Sequence, residues 1–271
     1  MPELNTRWDI FCTVVDNFGD IGVTWRLARQ LVAEHSLKVR LWIDDLHAFE
    51  RLCPDIDIEA SQQWQQGVEV CKWPTDWPPT EAADVVIAAF ACQLPSAYMD
   101  AMAEREKPPL WMNLDYLSAE DWVVGCHGLP SVKYKHVQKY FFFPGFQEGT
   151  GGLLREKGLL ERRRQFQQSP QAQREFLQGL GIDRAEGALL ISLFAYENSG
   201  LASWLETMAS DSTPTHLLVP EGRILADLER WLGVDGLAAG AVHVRDALTV
   251  QVLPFVRQDQ YDLLLWSCDF N

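Results

Sequence analysis

The chain contains no apolar run long enough to cross a bilayer, and no basic segment followed by an apolar one opens it. Those two absences set the expectation of a soluble cytoplasmic protein with no membrane partner. Basic residues are scarce as well: 23 Lys and Arg stand against 38 Asp and Glu, for a net charge of -15. This balance argues against sequence-independent nucleic-acid binding, which depends on Lys and Arg neutralising phosphates. A phosphate-bearing ligand would have to meet a local site. The six cysteines (Cys12, Cys53, Cys71, Cys92, Cys126 and Cys268) form no C-x-x-C pair and have no His at ligand spacing. Buried free thiols are expected, and no metal. The glycine fingerprint of dinucleotide binding is also missing, since only Gly19 and Gly22 stand at the first turn. Asp44 and Asp45 occupy the place of a ribose-binding acid, but without the glycines a nucleotide-dependent oxidoreductase is a weak reading.

What is present is a long chain, 271 residues with 47% apolar content, enough for two cores. β-Branched and aromatic residues over 8–15 predict a strand, and Val23, Leu27 and Leu31 repeat at helical spacing in a helix over 21–35. A strand over 38–43 and a helix over 46–52 continue the alternation, followed by strands at 68–71, 85–89 and 110–114 and a helix near 95–105. This is βαβ grammar and implies a parallel sheet flanked by helices. Trp8, Trp25, Trp42 and Trp111 fall within these elements and are expected in the core. The pattern changes after Tyr140, and further strands at 188–194, 215–219 and 242–244 predict a second α/β unit. The domain expectation is a first lobe over 1–152, a helical connection over 153–184 and a second lobe over 185–271.

The candidate chemistry sits where the first strand meets the first helix. Asp16 and Asp20 lie four residues apart in that loop, at the strand end where open α/β sheets bind ligands. Asp20 reads either as a helix N-cap or as a working carboxylate, and Asp16 either as a turn residue or as its partner. As a pair they suit a guanidinium, since each carboxylate can take a forked pair of N–H bonds. Other patterns have bland readings. Asp55-Ile56-Asp57 is a surface turn, Arg162-Arg163-Arg164 a solvated helix face, and His127 a surface or capped histidine. Asp115 and Tyr116 end a predicted strand and either line a cleft or pack there, and Glu221-Gly222-Arg223 follows a strand of the second unit.

Six motifs together carry a resemblance: Val15-Asp16-Asn17-Phe18-Gly19-Asp20-Ile21-Gly22-Val23, Asn113-Leu114-Asp115-Tyr116-Leu117-Ser118, Phe142-Phe143-Pro144-Gly145-Phe146, Gly149-Thr150-Gly151-Gly152-Leu153-Leu154-Arg155-Glu156, Ser192-Leu193-Phe194-Ala195-Tyr196-Glu197-Asn198 and Pro254-Phe255-Val256-Arg257-Gln258-Asp259. The sequence resembles the EarP family of protein-arginine rhamnosyltransferases, which modify bacterial elongation factor P and so activate it for rescue of stalled translation. The resemblance implies a GT-B fold, two Rossmann-like lobes facing a cleft, with acceptor protein on the first and dTDP-β-L-rhamnose on the second. It makes Asp16 and Asp20 the catalytic acids, Gly19, Phe194, Tyr196, Phe255 and Gln258 donor contacts, and Asp115 and Tyr116 acceptor contacts. It implies an inverting reaction without metal or resident cofactor. In the family an Arg-Gly-Glu-Asp-Ser stretch follows the segment matching Trp266 to Asn271. The resemblance therefore marks this sequence as a shortened member with an incomplete second lobe and weak donor turnover. The alternative is a non-catalytic module that docks elongation factor P.

Overall fold

The computed structural model describes residues 6–14 and 18–271, with Gln258 described by its backbone alone. It divides into two compact units, one ending at Lys157 and one beginning at Gly158. The division falls after Lys157, whereas the sequence reading placed the first boundary at 152.

Unit 1 is built on an eight-stranded sheet of β1 (Arg7–Cys12), β2 (Lys38–Ile43), β3 (Gln62–Gln65), β4 (Val68–Lys72), β5 (Val85–Ala89), β6 (Leu110–Leu114), β7 (Pro130–Tyr134) and β8 (Val137–Phe142). Its spatial order is β3-β4-β2-β1-β5-β6-β8-β7. The inner strands β4, β2, β1, β5, β6 and β8 pair in parallel, and β3 and β7 close the edges antiparallel. The order reverses between β1 and β5, because β1 is followed outward by β2 on one side and by β5 on the other. That is the switch point of a doubly wound sheet, where a crevice opens beyond the strand ends.

Period-two alternation explains why both faces are covered. Ile10 and Cys12 of β1 join Leu41, Ile43 and Ile87 in one apolar cluster, under Ile21, Trp25 and Ala28 of helix α1 (Gly19–His35) and Phe49 of α2 (Leu46–Glu50). Phe11, between them, faces the opposite cluster with Trp42, Val86 and Trp111, under Tyr98 and Met102 of α3 (Ser96–Glu104). Trp25, Trp42 and Trp111 are buried as expected, and Trp8 packs against the first cluster at its margin. A short α4 (Trp122–Cys126) precedes the β7–β8 hairpin.

A buried ion pair crosses the floor of this sheet. Asp9 is fully buried and accepts both Nε (2.7 Å) and Nη2 (2.5 Å) of Arg40, and also the Tyr98 hydroxyl. Burial pulls the Arg40 pKa down, but the hydrogen bond and charge of Asp9 outweigh it and leave it raised. The last residues of the unit run along α1. Glu156 pairs with Arg26, the Arg155 carbonyl accepts Gln30 Nε2 at 2.6 Å, and the Lys157 amide donates to Glu34 at 2.6 Å. The anchors fall at every fourth residue of the helix, on one face.

Unit 2 carries a four-stranded sheet in the order β11-β12-β10-β9, from β9 (Leu189–Ser192), β10 (Thr215–Pro220), β11 (Val242–Arg245) and β12 (Leu248–Leu253). β9, β10 and β12 are parallel and β11 is an antiparallel edge. Helices α7 (Leu201–Ser210) and α8 (Leu225–Leu232) cover one face. The other lies under α6 (Pro170–Gly179) and α9 (Gln258–Ser267). The stretch read as a connection holds α5 (Leu159–Gln167) and α6, both within this unit, with Phe166 of α5 against Trp266 of α9. Phe270 adds a parallel bridge to Ile191 beside β9.

Candidate active site

α1 begins at Gly19 with Phe18 at the N-cap, two residues earlier than the apolar period alone predicts. Asp20 is therefore inside the first turn and not its cap, where its charge complements the positive end of the helix. It is 1% exposed, and its Oδ1 accepts the Tyr116 hydroxyl at 2.9 Å. The Thr24 hydroxyl ties back to the carbonyls of Asp20 and Ile21, each at 3.1 Å, closing that first turn. Tyr116 follows β6, so an acid from the β1 side and a phenol from the β6 side meet at the switch point.

Asp115 shares that end of β6. Its carboxylate accepts Asn113 Nδ2 at 3.1 Å and the Tyr116 amide at 2.9 Å, which fixes the strand's exit and the start of the Tyr116 backbone. Phe90 leaves β5 next door with its ring stacked on Tyr116, centroids 4.5 Å apart and planes 23° from parallel. Residue-type reasoning passed over Phe90, since nothing in a lone aromatic after an apolar strand signals a site. Asp16 lies outside the described residues. Gly19 starts the helix with open space where a Cβ would stand.

The remaining candidates of this unit are accounted for by structure. Asp44 accepts the Val14 amide at 2.9 Å and so fixes the backbone just after β1. Asp45 is the N-cap of α2, accepting the amides of His47 and Ala48. Asp57 accepts the Glu59 amide in a turn, and His127 Nδ1 accepts the Phe143 amide at 3.0 Å, a capped histidine. Cys12 and Cys92, beneath the site, are buried, and desolvation pushes both thiols up to about 12, which keeps them protonated and unreactive. All six cysteines are free. Among the described residues, no group of three or more His, Cys, Asp or Glu could hold a metal ion, and no helix is long and apolar enough to cross a membrane.

In unit 2 the sequence-predicted residues gather at the carboxyl ends of the parallel strands. Phe194 and Tyr196 follow β9, and Phe255 follows β12. Phe194 is 74% exposed with its edge toward Tyr261, and Tyr196 is half exposed. Arg223, after β10, lies over the Tyr196 ring at 5.4 Å and donates to Glu197 at 3.0 Å, so of Glu221-Gly222-Arg223 it is Arg223 that meets the aromatic edge. The Gln258 side chain lies outside the described residues. Arg163 and Arg164 on α5 are solvated, as the charge run predicts.

A sequence model of a family described as Elongation-Factor P (EF-P) rhamnosyltransferase EarP matches residues 8–271. A protein-arginine rhamnosyltransferase of Pseudomonas putida is 65% identical over 268 residues, 99% of this chain and 71% of its own length. One of Pseudomonas aeruginosa is 62% identical over 97% of this chain and 70% of its own. A solved structure concerning EarP-mediated arginine glycosylation of translation elongation factor EF-P is similar with a TM-score of 0.66 at 47% identity, over 98% of this chain and 66% of that one. The expected fold class, α/β of the GT-B type with Rossmann-like units, agrees with that likeness. With the match spanning both units, the chain belongs to the EF-P rhamnosyltransferase family, EarP.

Proposed function

We propose that the chain transfers L-rhamnose from dTDP-β-L-rhamnose to an arginine side chain of elongation factor P, with inversion and without a resident cofactor or metal. The observation that carries this reading is a buried carboxylate, Asp20, presented at the switch point of unit 1 and held there by a tyrosine hydroxyl. The exposed aromatic edge of unit 2 supports it, since flat rings at strand ends suit a nucleobase.

The acceptor poses a specific problem. An arginine side chain is protonated below ~12 and its nitrogen lone pairs are delocalised, so in water it is a poor nucleophile. Asp16 and Asp20 grip the guanidinium and turn one terminal nitrogen toward the anomeric carbon. Asp20 takes its proton as the C–N bond forms and the bond to the diphosphate oxygen breaks; dTDP leaves with that electron pair. Asp115 and Tyr116 border the acceptor, and Gly19 leaves room for donor to approach the helix start. On the donor side, Phe194, Tyr196, Phe255 and Gln258 hold the thymine and its neighbouring groups.

Mass spectrometry of elongation factor P incubated with the chain and dTDP-rhamnose tests the reading. One deoxyhexose on one arginine is expected, with the rate cut about 100- to 10,000-fold by Asp20→Asn. Full activity in that variant would remove Asp20 as the base. Acceptor that binds but gains no sugar would favour a docking module instead.

A further inference from the structure

We propose that Phe90 is a positioning residue, acting with Tyr116 to fix the Asp20 carboxylate. The inference deepens the reading above and rests on Asp20 being the base. Neither ring belongs to the two apolar cores of unit 1, although Phe90 is half-buried and Tyr116 is 53% exposed. The stack thus stands outside both clusters of described residues, and the backbone that carries Phe90 is bent beside it. Phe90 and Ala91 both adopt positive φ, 53° and 59°, a conformation unfavourable for residues with a Cβ. The Phe90 amide is pinned to the Leu114 carbonyl at 2.7 Å, so the bend ties the end of β5 to the end of β6, two residues before Tyr116.

The result is a short relay: a strained turn after β5 presents a ring, the ring fixes the plane of Tyr116, and Tyr116 donates to Oδ1 of a carboxylate that is almost wholly out of water. Stacking on the Phe90 ring narrows the rotamers open to the Tyr116 side chain and so favours the one that reaches Asp20. Strain of this sort persists where surrounding contacts over-determine it, and here it stands one strand from the reacting acid.

The test uses the full chain with carbon-13 in its aspartate carboxyls and reads the Asp20 resonance at neutral pH, beside steady-state transfer. Tyr116→Phe keeps the stack and removes the hydroxyl; it should move the Asp20 resonance and lower kcat roughly tenfold. Phe90→Leu should move the resonance the same way by a smaller amount and lower kcat a few-fold, and Phe90→Tyr, which keeps a ring, should restore both. An unmoved Asp20 resonance in Phe90→Leu overturns the role of Phe90, and an unmoved one in Tyr116→Phe overturns the pair. If the resonances shift as expected while Asp20→Asn transfers sugar at full rate, the base assignment fails and the pairing stands.

Discussion

Unit 1 draws charge inward at its sheet, whereas unit 2 turns rings outward. Asp9 and Asp20 are both essentially buried, one under Arg40 and one under Tyr116. The buried polar residues of unit 2, among those described, are uncharged in their ordinary neutral forms: Ser192, Thr215, His216, Gln251 and Ser267. His216 stays neutral because burial lowers its pKa, and its Nε2 lies 3.0 Å from Gln251 Oε1. At the carboxyl edge of the same sheet, Phe194 and Tyr196 face solvent. Two similar folding patterns thus end in different surfaces; under the proposed function the partly dry carboxylate would meet a cationic side chain and the open flat rings a nucleobase.

Removing the buried charge should separate the units most sharply. Asp9→Ala leaves Arg40 buried without its partner and should cost unit 1 about 3–5 kcal/mol, while unit 2 keeps its stability. Thermal unfolding followed by limited proteolysis would show which unit melts first, and equal loss in both would break the contrast. Phe194→Ala should weaken dTDP binding by about 1–3 kcal/mol in calorimetry and leave elongation factor P binding as it is. A larger effect on the protein acceptor would reverse the roles given to the two edges.

The smallest difference is one of pH. A histidine whose folded pKa is lowered binds fewer protons than the unfolded chain, so stability is lost as pH falls through the ordinary histidine range toward the folded value. Unit 2 should therefore soften at mildly acid pH, and His216→Gln should flatten that slope. In unit 1, burial acts to raise the Asp84 pKa, but the Arg7 amide at 2.9 Å and Arg105 outweigh it and leave it lowered. That contribution is lost only as pH falls into the carboxylate range. Urea midpoints between neutral and mildly acid pH would separate the two.

The strands with continuous apolar character were legible in sequence: 38–43, 85–89 and 110–114 coincide with β2, β5 and β6. β3 was not, because Gln62, Gln63 and Gln65 fill an exposed antiparallel edge. The β7–β8 and β11–β12 hairpins were missed or half missed for another reason. Their tight turns place Lys135 and Asp246 at φ 51°, where a glycine would have marked the bend, and Thr249 and Gln251 interrupt the apolar run of β12. At the site, Asp20 could be picked out of the sequence as a carboxylate at the start of a helix that follows a strand, whereas Phe90 is a matter of three-dimensional stacking that no local spacing encodes.

The run of residues 155–157 along α1 has a mechanical consequence. Three anchors on Arg26, Gln30 and Glu34 act as a splint, resisting any roll of the helix about its own axis. Because Asp20 is six residues from the first anchor on the same rigid rod, loosening the splint at Glu156 should be felt as a change of aim at the far end of α1, with no contact to the carboxylate altered.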